Sequence, residues 1–272
     1  MSESLPVIAA YVLAYLTAGA LVGFLAGLLG IGGGMMLVPI LAALFKLQGL
    51  SADHVVHLAL ATSMASVVFT SSSSVREHHK LGGVDWALVK SLAPAMVLGS
   101  LISTIGSAFV AQRWLALAFA VIVYAGATQI WLGKKPSAQR GLPSTWALGL
   151  IGLVIGLICG VVSAGGAFLT VPLMLYCGIA MPRAIGTAAA VGIPVAFAGM
   201  IGWIVAGATV SGLPAYSIGF VYLPALLPLV AASVVLAPFG ARLSHKLPVH
   251  MLKRIFAAFL YILATKMLIS YV

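Results

Sequence analysis

Gly23-Phe24-Leu25-Ala26-Gly27-Leu28-Leu29-Gly30-Ile31-Gly32-Gly33-Gly34-Met35-Met36-Leu37-Val38-Pro39 starts as an apolar helix, breaks at a glycine cluster, and resumes as a short apolar segment ending at Leu47. A shift of 133 residues carries Gly23, Gly27, Gly32, Gly33, Val38 and Pro39 onto Gly156, Gly160, Gly165, Gly166, Val171 and Pro172. Allowing for loop lengths, Thr62 then meets Thr187, Gly106 meets Gly240, Phe119 meets Phe256, Tyr124 meets Tyr261 and Thr128 meets Thr265. The chain reads as a duplication, with the same glycine break at the same place in each half.

The surrounding sequence identifies the solvent. Of 272 residues, 62% are hydrophobic and 7% charged, too few charges for a water-soluble domain, so lipid is the medium. Only Glu3, Asp53, Glu77 and Asp85 are acidic. The net charge of +10 does not point to nucleic acid, because the basic residues sit between apolar runs and form no solvated face. Met1-Ser2-Glu3-Ser4 lacks the basic start of a signal peptide. Cys159 and Cys177, both in apolar runs, read as small buried hydrophobes.

Ten apolar segments follow one another: Leu5 to Gly30, Met35 to Leu47, Val55 to Ser74, Trp86 to Val110, Trp114 to Leu132, Trp146 to Val162, Ala167 to Ile179, Ala184 to Ala206, Ile218 to Gly240 and Met251 to Val272. This predicts an all-α polytopic membrane protein: a first repeat over 1–133, a linker over 134–144, and a second repeat over 145–272. Met35 to Leu47 and Ala167 to Ile179 reach only about 20 Å, short of a hydrocarbon core of roughly 30 Å. If all ten cross with the N-terminus outside, eleven Lys and Arg face inward and three (Lys46, Arg113, Lys266) face outward. If the two short segments are re-entrant instead, with the N-terminus inside, the split is seven to seven. The positive-inside rule therefore favours ten crossings, an odd number per half, and so two halves of inverted topology.

Each break opens onto the start of a short helix, where unpaired N–H groups and the positive dipole end favour an anion. Unusual backbone at membrane depth is tolerated only inside protein or beside a cavity. The candidate substrate-binding residues are Gly32, Gly33 and Gly34 in the first break and Ser163, Gly165, Gly166 and Ala167 in the second. Thr62, Ser63 and Thr187, on the helices that follow, offer hydroxyls to an oxyanion, against the competing role of interhelical hydrogen bonding.

The run Gly23 to Gly34 with Val38-Pro39 closely resembles the first signature of the TauE/SafE family of sulfite and organosulfonate exporters. Ala61-Thr62-Ser63 resembles its small-Thr-Ser element, and Gly186-Thr187-Ala188 is the second-half counterpart, with Ala188 where Ser is common. Leu81-Gly82-Gly83-Val84-Asp85-Trp86 is similar to the family's loop before the next helix. The likeness spans nearly the whole chain. It implies a bacterial inner-membrane secondary transporter of small sulfur-containing anions, with lipid around it and either one copy or a homodimer as the working unit. An anion channel and an intramembrane enzyme are the alternatives.

Other residues read more plainly. Asp85 suits an N-cap for the helix starting at Trp86. Lys266, near the C-terminus, is expected to snorkel to the interface. Ser71 to Ser74 reads as a helix end running into a solvated loop, Arg76-Glu77-His78-His79-Lys80. No histidine is expected deep in a span as a catalytic base, and Ser163 aligns with Gly30, a small-residue slot, so no serine hydrolase emerges. The spans are too poor in carboxylates for a divalent-cation channel. No metal site, cofactor or nucleotide-binding loop is expected.

Overall fold

The computed structural model describes residues 5–29, 32–50, 53–132, 141–244 and 249–271. It is an all-α membrane fold, with helices α1 (Leu5–Leu29), α2 (Gly34–Leu47), α3 (Val55–Lys80), α4 (Trp86–Ser107), α5 (Gln112–Leu132), α6 (Thr145–Val162), α7 (Ala167–Tyr176), α8 (Met181–Gly207), α9 (Leu223–Ser244) and α10 (Val249–Tyr271). Among the described residues, seven helices are long and apolar enough to cross a bilayer, while α2, α7 and the apolar stretch Phe256–Tyr271 of α10 are shorter. Most of the linker expected at 134–144 lies outside the described residues.

Glycine stripes set the packing. A Cβ on Gly19, Gly23 or Gly27 of α1 would lie 2.4, 2.5 and 1.9 Å from the α9 chain at Leu229, Ser233 and Ala237. The two helices are in backbone contact and run parallel, an approach only small residues permit. In the same way Gly152, Gly156 and Gly160 of α6 lie along α4 at Leu92, Met96 and Ser100. α5 and α10 run antiparallel: Tyr124 bonds Thr265, and Thr128 bonds Tyr261. α3 and α8, the most buried long helices, also cross antiparallel at the centre, with Met64 against Gly199 and His78 against Gly186.

Local signals explain most boundaries. Asp85 caps α4, accepting a bond from the Leu88 amide at 3.2 Å, as expected. Its other oxygen lies 3.1 Å from Arg183. Ser144 caps α6 through the Ala147 amide. α9 starts at Leu223 and not at Ile218, because a two-stranded hairpin (β1, Ser217–Ile218; β2, Val221–Tyr222) turns at Gly219, whose φ is +54°. Lys266 is exposed on α10.

One expectation is overturned. Ser71 to Ser74 is no helix end; α3 continues to Lys80 with Ser71, Ser73, Ser74 and His78 buried. Hydroxyls weaken an exposed helix, but here neighbours satisfy several of them. Thr70 donates to Ser66 O, and its Oγ1 lies 2.9 Å from Ser233 Oγ; Ser73 donates to Val234 O at 2.7 Å. The last turn is anchored as well. His78 Nε2 lies 3.3 Å from Gly27 O, and Arg242 of α9 donates to Glu77 at 2.8 Å. His57, at the other end of α3, is buried too, 3.1 Å from Val110 O, so both imidazoles lie inside the fold.

Candidate functional site

The two glycine breaks touch at the centre of the molecule. A Cβ on Gly34 would lie 1.8 Å from Ser163 O, and one on Gly32 would lie 3.8 Å from Gly165 N. Gly33 and Gly166 are the N-caps of α2 and α7, with φ of +77° and +92°, left-handed values that glycine alone adopts cheaply. Neither cap has a side chain to offer the first-turn amides. Ser163 takes φ of +51°, an uncommon geometry for a residue with a side chain. Among the described residues, the amides of Gly165, Gly166, Ala167 and Phe168 have no backbone or side-chain acceptor. Two positive helix ends thus converge at a place wrapped in protein, and on the α7 side the first amides lack an acceptor among the described residues.

The hydroxyls divide into two groups. Ser63 donates to Gly34 O at 2.9 Å and pins α3 to the start of α2. Thr62 accepts from the Tyr222 amide at 3.0 Å, and Thr187 accepts from the Asp85 amide at 2.9 Å. These two threonines hold the chain entering α9 and α4 respectively, which is the interhelical role weighed against ligand binding. Ser163 is fully buried, and its hydroxyl has no partner among the described residues.

Sequence reasoning missed the polar face of α3. Beside Gly32 is a narrow space of about 140 Å³, closed to a water-sized body and lined by Ala26, Gly32, Thr70, Ser71, Ser74 and Ala189. The hydroxyls of Ser71 and Ser74 are buried there without a hydrogen-bond partner among the described residues, and that of Ser66, further back on α3, is buried and unpartnered as well. A buried hydroxyl left unpaired costs about 1–3 kcal/mol, so two beside one break, with Ser163 opposite, is a costly arrangement unless something polar visits. The signal was present in the sequence: Ser66, Thr70 and Ser74 recur every fourth residue, one face of a helix. Aligning Thr62 with Thr187 sets Val191, Val195, Ala196 and Gly199 of α8 opposite Ser66, Thr70, Ser71 and Ser74. The hydroxyl face therefore belongs to α3 alone.

Comparison with known proteins agrees with this architecture. Residues 15–267 match the model of the family described as "Sulfite exporter TauE/SafE". The chain belongs to that family. A relative from Haemophilus influenzae, called "Probable membrane transporter protein", is 36% identical over 261 residues, covering 96% of this chain and 99% of that one. Another from Methanocaldococcus jannaschii, also described as a probable membrane transporter protein, is 25% identical over 242 residues, with 86% of each chain covered. A third, YdhB of Bacillus subtilis, carries the same description and is 27% identical over 194 residues, covering 69% of this chain and 76% of its own. This TauE/SafE protein is a multi-pass plasma membrane transporter.

Proposed function

We propose that this transporter moves small sulfur oxyanions, sulfite or organosulfonates, through a central site alternately open to each side of the membrane. The observation that carries the reading is the contact between two uncapped helix N-termini, α2 and α7, at their glycine breaks. An anion there is held by backbone dipoles and N–H groups with no fixed positive side chain. Each charge-assisted hydrogen bond contributes roughly 1.5–3 kcal/mol, so a few offset much of the dehydration cost without trapping the ion. The site comprises Gly32 to Gly34, Ser163, Gly165, Gly166 and Ala167, together with Ser71 and Ser74. Ser63, Thr62 and Thr187 brace it. The choice of a sulfur oxyanion comes from the family description; the geometry supports an anion.

The two halves act as inverted repeats. Supporting this, the bonds Tyr124–Thr265 and Thr128–Tyr261 are reciprocal, and both tyrosines and both threonines are 137 residues apart. So are Asp85 and Tyr222, whose amides donate to the equivalent Thr187 and Thr62. The charge split puts the C-terminal end of α3 on the cytoplasmic side. The test is uptake of labelled sulfite and sulfoacetate into proteoliposomes. Saturable flux above empty liposomes is expected. If neither anion crosses under any imposed pH gradient or voltage, the reading is wrong.

A further inference from the structure

We infer that the site takes an oxyanion head with one negative charge, three oxygens and one corner free of charged oxygen, a sulfonate or hydrogensulfite, and turns away doubly charged sulfate. This selectivity deepens the anion reading proposed above and stands only with it.

Charge sets the first limit. Among the described side chains, every lysine and arginine is exposed. Arg242 is engaged with Glu77, and Arg183 with Asp85. The buried polar side chains among the described residues are serines and threonines, apart from His57 and His78. His57 packs against Trp203 and Phe220 and meets the Val110 carbonyl. His78 meets the Gly27 carbonyl and interacts with the Glu77 carboxylate. Neither ring lines the slit. Positive potential between the breaks therefore comes from the two helix starts, at Gly33 and Gly166. Each supplies about half an elementary charge, so together they balance about one. Attraction to fixed dipoles grows in proportion to an ion's charge, whereas the cost of dehydrating it grows with the square. A second charge on the head roughly doubles the gain and roughly quadruples the cost. Charge carried elsewhere on a solute, as on sulfoacetate, lies outside this count.

The walls set the second limit. The slit beside Gly32 is lined by Thr70, Ser71 and Ser74 of α3, and by Ala26 of α1 and Ala189 of α8. Thr70 is spent on Ser66 O and Ser233. Ser71, Ser74 and Ser163 keep hydroxyls unpartnered among the described residues, donors for the oxygens of the head. The methyls of Ala26 and Ala189 offer no hydrogen bond. A sulfonate can turn its carbon to such methyls, and hydrogensulfite its sulfur. Sulfate has no such corner and must set a fourth charged oxygen against them. A buried charged oxygen left without a donor is heavily penalised.

The experiment uses the full chain in proteoliposomes, with potassium and valinomycin clamping the voltage and empty liposomes subtracted. Labelled methanesulfonate, sulfate and sulfite are compared at equal concentration. Methanesulfonate carries one charge and sulfate two at every pH used, and methanesulfonate flux should exceed sulfate flux by a factor on the order of 100. Sulfite passes from hydrogensulfite to the dianion as pH rises above neutrality. Its flux relative to methanesulfonate should fall about tenfold per pH unit beyond that transition. Taking the ratio cancels any titration of the protein itself. Ala189→Ser places a hydroxyl at the apolar corner and should raise the sulfate-to-methanesulfonate ratio about tenfold. Sulfate flux within about threefold of methanesulfonate overturns the inference. So does a sulfite-to-methanesulfonate ratio that holds while hydrogensulfite disappears. An unmoved sulfate ratio in both Ala189→Ser and Ala26→Ser, with methanesulfonate flux intact, overturns it too. Absence of any anion flux in the wild type is a different result, and it removes the anion site itself.

Discussion

Gly34→Ala is the most direct probe of the contact between the breaks. Gly34 has helical backbone angles, so the substitution adds no dihedral strain and tests space alone. The new methyl would lie 1.8 Å from Ser163 O, where ordinary contact starts at 3.4 Å. The two breaks must therefore part by about 1.6 Å, 3.4 less 1.8. Backbone stands on both sides of the clash, so no rotamer change relieves it. Overpacking of this kind costs typically about 1–3 kcal/mol, which a ten-helix core absorbs without unfolding. The donors of α2 and α7, however, can no longer reach one anion together, and a shift above 1 Å is enough to lose a hydrogen bond. We expect a membrane-inserted, monodisperse protein whose sulfite flux falls by a factor on the order of 100, the loss of two charge-assisted bonds at about 1.5 kcal/mol each. Gly149→Ala, where nothing lies within 4 Å, is the matched control and should transport normally. The assay is initial flux in proteoliposomes, normalised to reconstituted protein. Flux of Gly34→Ala within twofold of the control would refute the claim that this contact is the binding site.

Two further outcomes separate binding from bracing. Ser71→Ala and Ser74→Ala remove hydroxyls that have no partner among the described residues, so thermal stability should hold or rise slightly while KM for the anion increases about tenfold, read from flux against concentration. Thr187→Val leaves the Asp85 amide without its acceptor and should destabilise by about 1–3 kcal/mol in a thermal-shift assay with KM unchanged; Thr62→Val should do the same at Tyr222.

Much of the architecture was legible because lipid narrows the options. With no water to satisfy the backbone, apolar runs become helices, and the segment limits fall within a few residues of the helices found. The glycine breaks were legible because their spacing repeats and because glycine at the head of a short helix has few other uses. The roles of Thr62 and Thr187 were not. A threonine eight residues into one helix and another seven into its counterpart can face a ligand or a neighbouring loop, and only the fold brings Tyr222 and Asp85 beside them. The error at Ser71 to Ser74 has a physical cause. Serine runs weaken helices in water, and four of them before Arg76 and Glu77 imitate the end of a span. Inside this protein Ser73 bonds α9 and Ser71 lies beside Gly32, and tertiary contacts override the local preference.

That override bears on how the two halves divide the work. On the inverted-repeat reading, exchanging the conformations of the halves converts an inward-open backbone into an outward-open one at nearly equal energy. Side chains that differ between the halves then bias the equilibrium, and a ligand shifts it only through unequal contacts in the two states. On α3, Ser71 and Ser74 line the space beside Gly32, whereas the aligned positions of α8 are Ala196 and Gly199. On that reading, an anion between the breaks is met by similar amides from both sides, by the hydroxyls of Ser71 and Ser74 from the first half and by the single hydroxyl of Ser163 from the second. The half that closes over it with α3 gains hydrogen bonds that the other half cannot match. On the proposed site, duplicated glycines supply the shape, and the extra hydroxyls along α3 bias the two halves of the proposed cycle unequally.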